Sequence, residues 1–407
     1  MREIADANES MKEAEKKAYE GLNLFVRSYA LYGMTMAMGD IPCSEAAKGE
    51  SGAIYAPKYD TQEAVFESIL NDLRKASDLF SEASSFNGDP VYNGDPSLWQ
   101  KAANSFSLRV LNMLSKKENV GSINVRTMFE EMALRPLFTS EAESFQRVYS
   151  ADKSAQWYPF YWEKQNYWTY PFMTSFIVDM MKKLEDRRLF YYAEPAKALA
   201  SKGEDSFDAY SGVNPVLAYG MVQDECANGL HSAINKRYFQ IAEGEPVKFI
   251  AYSEIQFVLA EAALRGWKTP QSAKEHYENA VRAALQFTAK YTPAEYSHQV
   301  VIDDAYIDQY LQGKAAFNAS LEQIIEQKFI GSVFQLSFNS YYDYRRIGLP
   351  KIPIDAQTNM NEVKDQLPLR WMYPEDEYSR NRENIEEAIN RQFGGNDTPN
   401  DVMWLLK

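Results

Sequence analysis

A chain of 407 residues, 45% hydrophobic and 25% charged, can bury a sizeable core without disulfide or metal staples. Its formal net charge of −14 argues against nucleic acid and anionic lipid as partners, because both need a concentrated basic face. Only two cysteines and three histidines are present, with no Cys/His cluster, so neither a zinc site nor any other cofactor is expected. No apolar run reaches the roughly 18 residues that a bilayer-spanning helix needs.

The N-terminus, MREIADANES, carries no secretion signal and already reads as the inside of a helix, so a preceding segment is expected. From about Asn8 to Met38 the spacing predicts one long helix, with Leu22, Val26, Tyr29, Ala30 and Gly33 on its apolar face and Met34, Met36 and Met38 packing its end. Gly39-Asp40-Ile41-Pro42 stops it. A loop runs to Lys58, and a second helix starts at Asp60, where Asp60 and Glu63 form an acidic capping box. Its stripe is Val65, Phe66, Ile69, Leu70, Leu73 and Ala76. Two Asn-Gly-Asp-Pro turns then bracket Val91 and Tyr92, where Asp89, Asn93 and Asp95 either serve the turns or offer oxygens to a cation. Ser97 with Gln100 caps a third helix carrying Trp99, Ala102, Ala103, Phe106, Val110 and Met113. A shorter helix runs from Val125 to Leu134.

Beyond Pro136 the character changes. Turn-rich pieces surround one helix, Ser175 to Leu184, and long irregular segments inside a compact chain usually serve function. Helix pairs return at Ser253, which with Gln256 forms a capping box; Ile255, Val258, Leu259 and Ala262 make the stripe, and Gly266 ends it. Thr269 and Pro270 start the next helix, whose Ala273, Tyr277, Ala280, Val281 and Ala284 have the small–aromatic–small spacing of a tetratricopeptide repeat. Thr292-Pro293-Ala294-Glu295 caps another helix, and a long one follows from Asn318 or Ser320 to about Phe334. The expected fold is therefore mainly α. Tetratricopeptide-type helix pairs at about 1–135 and 250–340 support irregular, ligand-facing regions at about 136–249 and 341–407, all in one domain.

The stretch QWYPFYWEKQNYWTYPF, residues 156–172, is the chief candidate site. It has no Leu, Ile or Val. Trp and Tyr pair a flat apolar face with a polar edge, which suits a half-wet surface holding a sugar ring. Trp157, Trp162 and Trp168 are expected to offer stacking faces, and Tyr158, Tyr167 and Tyr170 rings and hydroxyls. Gln165 and Asn166 would hydrogen-bond sugar hydroxyls. The alternative is that these rings plug gaps between helices. No catalytic residue is expected: there is no GxGxxG, Walker loop, HExxH or GxSxG, and no spacing among the 57 acidic residues singles out a glycosidase pair. Arg345 and Arg346, after Tyr342-Asp343-Tyr344, either contact an anion or form structural ion pairs.

Several segments together resemble the SusD/RagB family. They include GDIPCSEA (39–46), DTQEAVFESILNDLRKASDLF (60–80), NGDPVYNGDPSLWQKAANSFSLRVLNMLSKK (87–117), YSEIQFVLAEAALRGW (252–267), YYDYRRIGLP (341–350) and LPLRWMYPEDEYSRNRENIEEAI (367–389). Within that family the chain is most similar to SusD-like nutrient-binding lipoproteins of Bacteroidetes. The resemblance implies a helical-repeat fold and non-catalytic capture of an oligosaccharide on the cell-surface side of the outer membrane. It implies delivery to a SusC-like, TonB-dependent transporter and a lipid anchor that this chain does not contain, since Cys43 lies far inside it. Some relatives take peptides. The family has no fixed ligand motif, so no site residue carries over. A peptide binder, a glycoside hydrolase and a cytoplasmic repeat scaffold remain the other readings, and the pairing of Cys43 with Cys226 stays open.

Overall fold

The computed structural model describes residues 11–161, 171–335 and 338–407. Four helices form the N-terminal support: α1 (Glu13–Met38), α2 (Gln62–Ser81), α3 (Pro96–Met113) and α4 (Val125–Met132). α1 packs on α2 and α2 on α3. The whole predicted stripe of α2 is buried, as expected for an amphipathic helix facing a core. In α1 the stripe lies elsewhere. Phe25, Ser28, Leu31, Tyr32, Thr35 and Met36 are buried, while Val26 is 48% exposed and Ala30, Gly33 and Met34 also face solvent. Two apolar faces compete on this helix, and the aromatic ring of Phe25 among Trp99, Phe106 and Phe145 decides which one goes inside.

A hairpin, β1 (Asn119–Val120) with β2 (Ile123–Asn124), precedes α4. A second antiparallel ribbon pairs β3 (Phe145–Arg147) with β4 (Val247–Ile250), with Phe145 opposite Ile250 and an irregularity before Gln146. Between these two strands run α5 (Ser175–Leu184), α6 (Arg188–Tyr192), α7 (Tyr219–Ala227) and short turns. Then come α8 (Tyr252–Leu264), α9 (Ala273–Lys290), α10 (Asp304–Gln312) and α11 (Leu321–Gly331).

The region from 341 is not irregular throughout. It holds most of α12 (Asn339–Ile347), then α13 (Glu375–Arg380) and α14 (Arg382–Phe393). The buried face of α12 is Tyr342, Asp343, Arg345 and Arg346, so charge hides its periodicity from a hydrophobic pattern.

α8 is the beam between two cores. Every residue from Ser253 to Ala262 is buried. Ile255, Val258, Leu259 and Ala262 face the first core with α1–α4, and Phe257 and Ala260 face the second. That second core gathers α5, α6, Tyr238, the inner face of α9, α10 and α11. A third, small cluster joins Tyr59 and Tyr373 to Ile385, Ala388 and Ile389 of α14. Cys43 and Cys226 are both buried and unpaired with each other.

Four predicted caps sit a few residues from the real ones. Thr61, not Asp60, caps α2; the Asp60 carboxylate instead accepts from Cys43 N (2.9 Å) and Ser44 N (2.8 Å), closing the preceding loop. Asp95 caps α3, with Pro96 at its start. Ala251 precedes α8, and the Ser253 amide is bonded by Glu141 (3.2 Å). Ser272 and Glu275 form the capping box of α9. The segment at Thr292 yields only a 3-10 turn, Ala294–Tyr296, with α10 starting later behind Asp303. The turn reading of Asp89 holds: its carboxylate accepts from the amides of Val91, Tyr92 and Gly94 and from Trp99 Nε1 (2.8 Å), so its oxygens are already used.

Candidate functional site

Of the eight predicted ligand residues, Trp162, Gln165, Asn166, Tyr167, Trp168 and Tyr170 lie outside the described residues. Trp157 is half-buried. Its indole meets Tyr161 edge to face at 5.0 Å, and its Nε1 donates to Ala151 O (3.2 Å). Tyr158 does not face solvent. It is fully buried in the second core, edge-on to Tyr149 and Phe160, with its amide donating to Ala242 O (2.7 Å). Burial pushes its phenol pKa up, and its hydroxyl has no hydrogen-bond partner among the described residues. Within one run of rings, spacing alone does not separate the anchor, Tyr158, from the surface rings Trp157 and Tyr161.

A second aromatic surface comes from parts of the chain far apart in sequence. Phe338, 53% exposed, and Trp371, 42% exposed, meet edge to face at 5.5 Å, and Trp371 stands at 90° to Tyr341 at 5.6 Å. Buried arginines hold this shelf. Arg345 Nη1 donates to Leu369 O and its Nη2 to Met36 O, both at 2.7 Å, while Arg370 is paired with Asp397 and donates to Thr398 O (3.1 Å). The Trp371 amide bonds Ala37 O at the end of α1 (2.9 Å). Arg346 is equally structural, with Glu261 at 2.7 and 3.0 Å and Asp343 at 2.8 Å. The ion-pair reading therefore holds for Arg346, while Arg345 is structural through backbone carbonyls instead.

Phe338 also walls a cleft of about 240 Å³. Tyr29, Tyr32, Phe249 and Tyr342 supply the other rings, Gly33 of α1 one edge, and Gln335 and Asn339 polar groups. The ribbon positions it: Phe145 of β3 packs on Tyr29 (5.8 Å) and Phe249 (5.3 Å). A wider cleft of about 350 Å³ lies between the 139–142 loop and the outer face of α9, lined by Glu141, Gln146, Tyr252, Arg282, Gln286 and Lys290 among others. Its polar groups are largely engaged, since Arg282 bonds Asp308 and Gln286 bonds Asp304.

One row of side chains has the order of a nucleophile, a base and an acid. Ser211 Oγ lies 3.3 Å from His231 Nδ1, and His231 Nε2 lies 2.9 Å from Glu225 Oε2. None of the three lines either cleft. They brace a backbone pairing in which Ser232 N donates to Ser211 O (2.7 Å). No helix among the described residues is long and apolar enough to cross a membrane.

The model of a family described as SusD-like, starch-binding and associating with the outer membrane matches residues 1–374. The chain belongs to the SusD-like family. Solved structures of SusD-like relatives agree in fold. A SusD homologue from Bacteroides fragilis is 39% identical with a TM-score of 0.93, covering 98% of this chain and 86% of that one. A protein from Bacteroides vulgatus, described in terms of the outer membrane and nutrient binding, is 34% identical with a TM-score of 0.88, covering 100% and 88%. A chitin-binding protein is 25% identical with a TM-score of 0.78, covering 100% and 85%. No curated protein sequence matches this SusD-like chain.

Proposed function

We propose that this SusD-like chain is a non-catalytic binding protein that captures oligosaccharides on the cell-surface side of the outer membrane and hands them to a SusC-like, TonB-dependent transporter. The observation that carries the reading is the set of partly exposed aromatic rings, Trp157 with Tyr161 and Trp371 with Phe338, held by buried side chains rather than used to fill a core. Flat rings with polar edges suit the apolar faces of sugars. The starch-binding description of the family and the chitin-binding relative point to the same ligand class. The tetratricopeptide-type pairing of helices, with Tyr277, Ala280, Val281 and Ala284 inside, serves as the support. In the 156–172 stretch Trp157 keeps its proposed stacking role, Tyr158 becomes its anchor, and Trp162, Gln165, Asn166, Tyr167, Trp168 and Tyr170 stay part of the proposed surface.

Titration calorimetry with soluble starch, chitin and xylan oligosaccharides, beside a peptide digest, tests this. Trp157→Ala and Trp371→Ala should each weaken glycan binding roughly tenfold, about 1.4 kcal/mol, while circular dichroism stays that of the parent chain. Binding of the peptide digest alone would favour a peptide ligand, and release of shortened sugars would replace the binding role with a hydrolytic one.

A further inference from the structure

Gly33 is out of place by the rules of helix formation. It sits inside α1, where glycine is less favourable than alanine. Two common reasons for such a glycine do not apply. Its backbone is ordinary helix, with no positive φ. Beyond its chain neighbours and the backbone of α1 itself, no protein atom lies within 4 Å of where a Cβ would stand, so no packed element demands the space. That space opens into the cleft walled by Tyr29, Phe249, Phe338 and Tyr342. Gly33 also belongs to the exposed apolar stripe of α1, with Val26, Ala30 and Met34 at helical spacing. A flat object lying on the α1 backbone at Gly33 would meet aromatic walls on its sides.

The charges around the cleft are already committed. Arg109 Nε donates to Glu254 Oε1 (2.7 Å) and its Nη2 to Phe249 O (2.7 Å). Asn339 Nδ2 donates to the same Glu254 oxygen (2.9 Å). The Lys248 ammonium points to the Phe287 ring (3.6 Å) and to Glu141 (3.6 Å). Gln335 bonds the Lys248 amide (3.0 Å) and Glu245 (2.5 Å). Among the polar groups of the cleft are the Asn339 side-chain oxygen, which no donor among the described residues reaches, and the Tyr29 hydroxyl, which neighbours Arg109. An aromatic box with an acceptor, a hydroxyl and no spare charge suits an uncharged polyol. A volume of about 240 Å³ falls below the roughly 300–1,000 Å³ of pockets that enclose a whole ligand, so one ring fits and the rest of the chain stays outside.

We infer that this cleft seats one ring of a neutral pyranoside, laid over the α1 backbone at Gly33, with the remainder of the oligosaccharide running onto the Phe338–Trp371 shelf. The inference rests on the glycan reading above. It is tested on the full chain by calorimetry with neutral maltooligosaccharides, chitooligosaccharides and xylooligosaccharides and with an oligogalacturonate. Gly33→Leu should lower the affinity for the neutral ligand at least tenfold, and Tyr29→Phe a few-fold. Gly33→Ala should weaken binding less, and its melting temperature should be equal to or above that of the parent. Unchanged neutral-glycan binding by Gly33→Leu would overturn the seat and leave the glycan reading standing. Preference for the galacturonate would overturn the neutral class. Failure of the parent chain to bind any of the four would remove the glycan reading itself, and the seat with it.

Discussion

Around α8 buried charges tie helix to helix; between α6 and α8 buried polar and charged side chains hold loop backbone. Arg109 of α3 meets Glu254 of α8, Arg346 of α12 meets Glu261 of α8, and Lys328 of α11 meets Asp343 of α12 (2.8 Å). Helical backbone satisfies its own amides there, so the side chains are left to fix helix against helix. The last turn of short α6 and the 3-10 turn Ala294–Tyr296 leave carbonyls without a helical partner. Asn235 Nδ2 therefore donates to Phe190 O (3.2 Å) and Tyr296 O (2.8 Å), Arg237 Nε to Tyr191 O (3.0 Å), and His298 Nδ1 to Phe190 O (2.7 Å). Buried carbonyls need such partners wherever the chain is irregular. Irregular backbone held this way presents surface rings from a firm base, without a helical ladder beneath them.

The sharpest way to break this contrast is to remove one arginine from each side. Arg237→Met strips Glu245 of its charged partner (2.8 Å) and leaves Tyr191 O unbonded inside the second core. The expected loss is about 3–5 kcal/mol, the usual range for half of a buried pair. Arg346→Met should cost less. Glu261 keeps Arg265, and Asp343 keeps Lys328. The Glu261 carboxyl, which burial alone would raise, is held well below its usual range by Arg346 and Arg265 together. Urea unfolding of the two variants gives the comparison directly, and equal losses would end it.

Glycine gives the second comparison. At Gly244 the backbone has φ +51°, and a Cβ would stand 2.3 Å from Tyr158 Cγ. Gly244→Ala should therefore destabilise the loop side by about 2–3 kcal/mol, through overpacking and left-handed strain together. Gly33→Ala on the helical side meets nothing and should leave stability unchanged or raised. Thermal denaturation of the pair measures both, and a stable Gly244→Ala would show that Tyr158 is a looser anchor than its burial implies.

The helices of the support were legible wherever one apolar face had no rival. The α2 stripe and the limits of α5 read directly from periodicity. α1 did not, because its sequence offers two apolar faces and only tertiary contact selects one. Caps were off by one to three residues wherever several small polar side chains stood in line: Asp60 looked like a cap but serves the loop at Cys43 and Ser44. α12 was missed because its inner face is charged. At the candidate site, aromatic content pointed to Trp157, but the Phe338–Trp371 shelf was not legible. Its two rings lie 33 positions apart in the sequence, joined by arginines whose bonds run to backbone carbonyls. Gly33 was read as part of a buried stripe; its open Cβ position is visible only once the cleft is formed.

Acid offers the mildest test, at the joint between the two cores. His276 of α9 is buried against α8. Its Nε2 accepts from Gln271 N (3.2 Å), so its Nδ1 donates to Gln256 Oε1 (2.7 Å), and the neutral ring fits both. Burial pushes its pKa down from 6.5 to about 4, against a small opposing pull from Glu275. The unfolded chain thus takes up the proton first. The contribution of this group is complete above about pH 6.5 and is lost as pH falls toward 4. At about pH 5.5 the loss is roughly 1 kcal/mol. His298 works in the opposite direction. Burial lowers its pKa, but Glu194 and the Phe190 carbonyl outweigh burial and raise it, so its contribution is full below its unfolded value and fades as pH rises through its folded one. Denaturant titrations at pH 7 and at about pH 5.5 should show the parent losing more stability on acidification than His276→Gln. A slope untouched by that substitution would place the acid-sensitive group away from the α8–α9 joint.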